Sequence, residues 1–270
     1  MNSLGALVRA IHPIPALAVT VLVGALAASR GVPAGTLAWM VASTAVGQAS
    51  VGWSNDYLDR RRDAAAGRRD KPLVSGEVSP SVVLAGAVVA LPLCVGLSLP
   101  VGLAEAAIML AGVGSAWAYN LGLKATPLSW FPYAVSFGLV PVYVWSATGT
   151  SAPGWLVAGG ALLGVAAHLV NVLPDLEADR AGSIRGLAHR LGPRWTVALA
   201  CALLAVVLGL LVWFGGPMTS GRAAATGLAA GLIAGVAWAG ARARYRLAFL
   251  VVIASAGAIV LLLGLSAEAL

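Results

Sequence analysis

Asn55-Asp56-Tyr57-Leu58-Asp59-Arg60-Arg61-Arg62-Asp63 stands where a long apolar run, Gly35 to Ser54, gives way to a loop crowded with charge. Read as a helix, the stretch places Asn55, Asp59 and Asp63 at i, i+4 and i+8, roughly 6 Å apart per step and drifting about 40° around the axis each time. Carboxylates on one such stripe repel, and each is driven toward its protonated form unless a cation sits between them. The stripe therefore reads either as a divalent-metal site or as a solvated helix end. A second copy favours the metal: Asn171, Asp175 and Asp179 repeat the spacing at the end of another apolar run, Gly154 to Leu173. Of only ten acids in the chain, eight (Asp56, Asp59, Asp63, Asp70, Glu77, Asp175, Glu177 and Asp179) lie in these two short regions. Acids are concentrated where the apolar runs stop.

The background is that of a membrane protein. Sixty per cent of the 270 residues are hydrophobic and 10% charged, and the mean hydropathy is +0.90, outside the range of soluble domains. With about 20 apolar residues needed per crossing, nine runs qualify: Ile14–Ser29, Gly35–Ser54, Ser81–Leu99, Val101–Ala118, Leu128–Ala147, Gly154–Leu173, Trp195–Phe214, Ala223–Gly240 and Leu247–Ser266. The expectation is an all-α protein, one domain over residues 1–270, with nine transmembrane helices around a central cavity. The 33 glycines supply small surfaces for close helix packing. Cys94 and Cys201 lie inside apolar runs and read as buried thiols, with no disulfide framework or zinc site.

A net charge of +7 invites a nucleic-acid reading, but its distribution excludes one. With nine crossings, the N-terminal tail and the loops after spans 2, 4, 6 and 8 share a side, and they carry 15 of the 17 basic residues; the other side has Arg30 and Arg222. The positive-inside rule places the rich side, the N-terminus and both acidic motifs in the cytoplasm, so the cavity opens there. The Ala25-Leu26-Ala27 sequence has the look of a signal-peptidase site, but the first run belongs to this alternation of charge. Arg outnumbers Lys 15 to 2, which with the Ala and Gly content points to a GC-rich bacterial genome and a bacterial cell membrane.

The first loop continues as Gly67-Arg68-Arg69-Asp70-Lys71-Pro72 and on to Gly76. Guanidinium groups beside flexible glycines suit a diphosphate, since Arg offers planar bidentate donors; retention charge or attraction to anionic lipid is the plainer alternative. Arg180 opens a second loop rich in Arg and Gly. Tyr119 and Lys124 close span 4, where they read as phosphate contacts or as ordinary interfacial anchors. Pro92, Pro132 and Pro141 predict kinks. His168 precedes Asn171 by three residues on the same face, and a histidine inside a membrane helix is a candidate for acceptor contact or for a helix-to-helix hydrogen bond. Spans 2 and 6 are an even number of crossings apart, so the two motifs emerge on one side and face each other over one cavity.

With these residues in view, the chain resembles the UbiA superfamily of intramembrane prenyltransferases. The signature Asn-Asp-x-x-Asp-x-x-x-Asp is matched by Asn55, Asp56, Asp59 and Asp63, and the second Asp-x-x-x-Asp by Asp175 and Asp179. The resemblance implies that these acids bind two Mg²⁺ ions holding an isoprenyl diphosphate, and that the isoprenyl group passes to a lipophilic acceptor. Arg68 and Lys71 fall where the family places basic residues, Lys71 standing where Arg is usual. Tyr119 and Lys124 resemble a Tyr-x-x-x-Lys pair but are one residue further apart, so either Tyr119 or Asn120 takes that role. Trp53, Tyr57 and Tyr119 are the aromatics available to stabilise an allylic cation. Two alternatives stand beside transfer. One is a cyclase of the same superfamily, acting on the prenyl diphosphate alone. The other is a divalent-cation or lipid-phosphate transporter, whose acids belong near the midplane, whereas these lie at span ends.

Overall fold

In the computed structural model, which describes residues 3–176, 179 and 184–266, the chain is helical, with no strand among these residues. All nine apolar runs lie on helices. In order these are α1 (Ser3–Ala10), α2 (Pro13–Ser29), α3 (Ala34–Ala65), α4 (Pro80–Ser98), α5 (Leu103–Leu121), α6 (Phe131–Ser146), α7 (Gly154–Val172), the short α8 (Leu187–Leu191), α9 (Pro193–Phe214), α10 (Ser220–Ala241) and α11 (Tyr245–Gly264). Local chemistry sets several starts. Pro13, Pro80 and Pro193 open their helices, where the missing N–H costs nothing. The Ser79 and Thr219 hydroxyls accept from Val82 N and Arg222 N as N-caps.

Five helices are long and apolar enough to cross a bilayer on their own: α4, α7 with the turn after it, α9, α10 and α11. A sixth crossing is available if α1 and α2, bent by 65°, are taken together. Among the rest, α5 carries Glu105 and Asn120 and α6 has 16 residues. The apolar part of α3 ends at Ser54, and eleven further residues carry the helix to Ala65 as a polar extension holding the whole first motif. Helix α1 falls in what reads from sequence as a plain tail. It buries Ala6 and Ala10 and exposes Leu4 and Val8, and Arg9 at its end pairs with Glu77.

Helix α3 packs on α2 and α4, α6 on α7, α9 on α7, and α11 on α10, α7 and α2. Because lipid is as apolar as leucine, such contacts depend on close backbone approach. Gly160 and Gly164, one turn apart on α7, provide it: a Cβ on Gly160 would lie 2.6 Å from the Phe137 carbonyl oxygen, and one on Gly164 2.4 Å from that of Tyr133. Pro132 occupies the first turn of α6, where proline is accommodated without a kink; Pro92 and Pro141 are interior. At the end away from the motifs Arg222, 1% exposed, donates to the carbonyls of Leu211 (2.8 Å) and Pro217 (2.9 Å). It closes the end of α9 as a structural cation.

Candidate active site

A cavity of about 980 Å³ runs inside the bundle, walled by α2, α3, α5, α6, α7 and α11. On α3 its lining extends from Thr44 to Asp63, about 28 Å of helix. One end is charged, with Asp59, Arg62, Asp63, Arg68, Lys124, Asp175, Asp179 and His189; the remainder is mostly apolar, with Leu22, Val113, Phe137, Val140, Leu163 and Val252 among its lining. Helices α4, α9 and α10 contribute none of the lining residues.

The first motif is continuous helix, and its 3.6-residue period sorts its members. Asn55 donates from Nδ2 to Asp59 Oδ2 (3.3 Å) and to Asn120 Oδ1 (3.0 Å). An amide nitrogen has two hydrogens, so Oδ1 is the atom Asn55 keeps for a ligand. Asn120, 5% exposed, donates in turn to Val51 O (3.0 Å) and Ser54 Oγ (2.8 Å), clamping α5 to α3. Asp59 receives Lys124 on Oδ1 and Arg62 on Oδ2, the latter at 2.8 Å. Asp63 is 8% exposed and has no cation within 4.0 Å among the described residues; burial pushes its carboxyl above the usual range.

Asp56, one residue and about 100° around the helix from Asn55, turns elsewhere. It is 2% exposed, outside the cavity lining, and its Oδ1 takes Lys71 Nζ at 2.6 Å and His12 Nε2 at 2.8 Å. Lys71, read from sequence as a diphosphate contact, lines the cavity but is held by Asp56. Trp53 and Tyr57 lie about 200° from Asn55 and Asp59: the Trp53 indole donates to Leu7 O at 3.0 Å, and Tyr57 lies under Arg60 at 4.0 Å. Of the three cation-stabilising candidates Tyr119 alone lines the cavity, joined there by Tyr133 and Phe137.

The second motif keeps its sequence spacing but not its helix. Pro174 lacks an N–H and its ring clashes with the preceding turn, so α7 stops at Val172 and a 3-10 turn, Leu173–Asp175, follows. Asn171 reaches Tyr133 Oη at 3.5 Å; Asp175 accepts from Arg68 Nη1 at 3.1 Å. Asp179 lies 3.8 Å from Arg62 Nη2 and 3.4 Å from His189 Nε2, and burial holds its carboxyl above the ordinary range. Arg180, the remaining candidate, falls outside the described residues. Arg62 and His189 were not singled out by the spacing of the acids: Arg62 reaches both motifs, and His189 stands against the second. His168, 1% exposed, bonds through Nε2 to Ser129 Oγ at 3.0 Å, with the Tyr133 and Tyr119 rings 4.8 Å and 5.6 Å away.

The extra residue between Tyr119 and Lys124 is absorbed by a turn. Helix α5 ends at Leu121, and a 3-10 turn, Leu123–Ala125, swings Lys124 onto Asp59. Burial lowers the Lys124 pKa, against the pull of Asp59. Among the described residues no three carboxyl, imidazole or thiol groups converge on one metal position; the basic side chains stand on the carboxylates instead. The donor set nevertheless fits Mg²⁺, a hard cation usually held by one or two carboxylates with phosphate and water completing its octahedron.

Comparison with known proteins gives the same picture. The fold superposes on the structure of a UbiA homolog from Archaeoglobus fulgidus bound to GPP and Mg²⁺ with a TM-score of 0.71, at 16% identity, over 94% of this chain and 99% of that one. An apo UbiA homolog from Aeropyrum pernix K1 gives a TM-score of 0.71 at 19% identity, over 90% and 94%. In sequence, a 4-hydroxybenzoate octaprenyltransferase of Ralstonia nicotianae is 30% identical over 183 residues, 65% of this chain and 62% of that protein, so the match spans under two thirds of the relative's length. The family model for the UbiA prenyltransferase family matches residues 17–248. The chain, an integral membrane protein of helices around an amphipathic cavity, belongs to the UbiA prenyltransferase family.

Proposed function

We propose that the protein transfers an isoprenyl group from an isoprenyl diphosphate to a lipophilic acceptor in the membrane, in a Mg²⁺-dependent reaction. The supporting observation is the cavity itself, charged at one end by facing carboxylates and cations and apolar along the rest. That is the shape and polarity of a prenyl diphosphate. Asp59 and Asp63 with Asn55 Oδ1 on one side, and Asp175 and Asp179 with Asn171 on the other, would hold the metal. Bound there, the metal neutralises the diphosphate and improves it as a leaving group. Arg68 and Lys124 turn from the carboxylates to the phosphate oxygens, with Lys71 and Arg180 as further donors. As the allylic C–O bond breaks, the electron pair leaves with the diphosphate; the apolar walls keep water from the cation, and Tyr119 and Tyr133 offer it their ring faces. The acceptor then closes the new bond and loses a proton.

The nine helices that carry apolar runs are nine crossings in this proposal, with the N-terminus and both motifs in the cytoplasm of a bacterium. The testing experiment incubates the purified protein with isoprenyl diphosphates of several lengths, with and without Mg²⁺, and with and without phenolic or quinone-precursor acceptors. Metal-dependent diphosphate release that rises with an acceptor is expected. Acceptor-indifferent release with one cyclic hydrocarbon would make the protein a cyclase. No release from any chain length would remove both.

A further inference from the structure

Two loops that reach the site from distant parts of the chain are fitted together without space between them. One leads from α5 to α6 and carries Lys124 and Ser129. The other leads into α8 and carries Gly186 and Leu187. Gly186 has φ −64°, a value open to every residue, so glycine is needed there for room: a Cβ would stand 2.7 Å from the Lys124 carbonyl oxygen and 2.8 Å from Ser129 Oγ. Ser129, 1% exposed, accepts from Leu187 N at 3.0 Å and lies 3.0 Å from His168 Nε2. The same oxygen is therefore shared between Leu187 N and His168 Nε2, and this ties both loops to α7.

Each side of this node touches a different motif. Lys124 pairs with Asp59 of the first, and His189, two residues past Leu187, lies 3.4 Å from Asp179 of the second. We infer that Ser129, Gly186 and His168 are positioning residues, forming a latch that sets the distance between the two carboxylate motifs. Its purpose rests on the prenyl-transfer reading, because the diphosphate and its metal ions have to span that distance. Its existence does not.

The test uses the full chain in lipid nanodiscs, with Cys94 and Cys201 replaced by Ala and spin labels on cysteines at Ala65 and Arg190, both exposed. Electron–electron distances are measured without metal, and Mn²⁺ binding is titrated separately. Ser129→Ala removes only the hydroxyl, and Gly186→Ala inserts the excluded Cβ. Ser115→Ala removes a different interhelical hydroxyl, bonded to Pro132 O at 3.1 Å, and serves as the control for a merely structural contact. Wild type and Ser115→Ala are expected to give one narrow distance distribution. Ser129→Ala and Gly186→Ala should broaden it and weaken Mn²⁺ binding about tenfold. Distributions unchanged in Ser129→Ala, or broadened equally in Ser115→Ala, overturn the latch; broadening with undiminished Mn²⁺ affinity overturns its purpose at the metal site. If Gly186→Ala does not fold, Ser129→Ala decides. A wild type with a narrow distance but no Mn²⁺ binding leaves the latch standing and removes the metal-dependent function instead.

Discussion

Arg68, in the loop after the first motif, donates from Nη1 to Asp175 of the second at 3.1 Å, across 107 positions of sequence. Both side chains are partly exposed, at 28% and 49%, so the ion pair itself adds at most about 1 kcal/mol of stability. Its value lies in holding a guanidinium over the charged end of the cavity. Arg68→Ala is expected to leave the unfolding temperature nearly unchanged. It should weaken prenyl-diphosphate binding roughly tenfold or more, from loss of a charge-assisted hydrogen bond of about 1.5–3 kcal/mol. Calorimetry with a non-hydrolysable prenyl diphosphate measures the second effect, and equal affinities would count against a phosphate role for Arg68.

Asp59 and Asp63 should separate stability from activity. Asp63 is buried with no cation within 4.0 Å among the described residues, and the more distant Lys71 and Arg62 offset its burial only in part, so Asp63→Asn relieves an incompletely compensated charge. The metal-free protein is expected to gain stability, by about 1 kcal/mol. Asp59→Asn strands Lys124 and leaves Arg62 with Asp179 alone, at a cost of about 3 kcal/mol. Both variants should lose metal-dependent diphosphate release. Opposite shifts in unfolding temperature with a common loss of activity are the expected pattern; a destabilised Asp63→Asn would show that its carboxylate has a structural partner.

Gly164 and Gly231 give a paired test of helix packing. A Cβ on Gly164 meets the Tyr133 carbonyl oxygen at 2.4 Å, whereas one on Gly231 meets nothing within 4 Å. Gly164→Ala should destabilise by about 1–3 kcal/mol through overpacking and move Tyr133 at the cavity wall. Gly231→Ala should be neutral or stabilising by about 0.5–1 kcal/mol, since alanine favours a helix. Thermal unfolding in detergent distinguishes them.

The direction of the chain in the membrane is open to labelling. Cysteines placed at Ala65 and Arg185, just past the two motifs, should react with an impermeant reagent from the cytoplasmic face alone. Reaction from opposite faces would end the nine-crossing proposal.

How much of this was readable from sequence depended on whether a local period carried the information. Asn55 and Asp59 share a helix face because the 3.6-residue repeat puts them there, and the nine runs that hydropathy marked lie on helices, five of which are long and apolar enough to cross a bilayer on their own. Asp56 shows the limit: one residue of offset turns its side chain to His12 and Lys71, and a motif string does not resolve 100°. Pro174, in plain view inside the second motif, ends α7 at Val172, a signal that the matched spacing hid. Arg62 bridges the motifs through a long side chain whose aim depends on tertiary structure. Ser129 and Gly186 meet across 57 positions of the chain, which no local pattern records.

Helix α1 also bears on the level at which the proposed chemistry would take place. If α2 crosses the bilayer, as the nine-crossing proposal has it, the 65° bend between α1 and α2 would lay α1 along the surface, with its exposed Leu4 and Val8 toward the acyl chains as in other interfacial helices. The charged end of the cavity, lined by Arg9 and His12 beside Asp59 and Asp63, would then lie level with the headgroups. A substrate with a water-seeking head and an oil-seeking tail, as the proposed function requires, would then meet the protein already oriented by the phase boundary, and neither half would have to enter the wrong solvent on the way in.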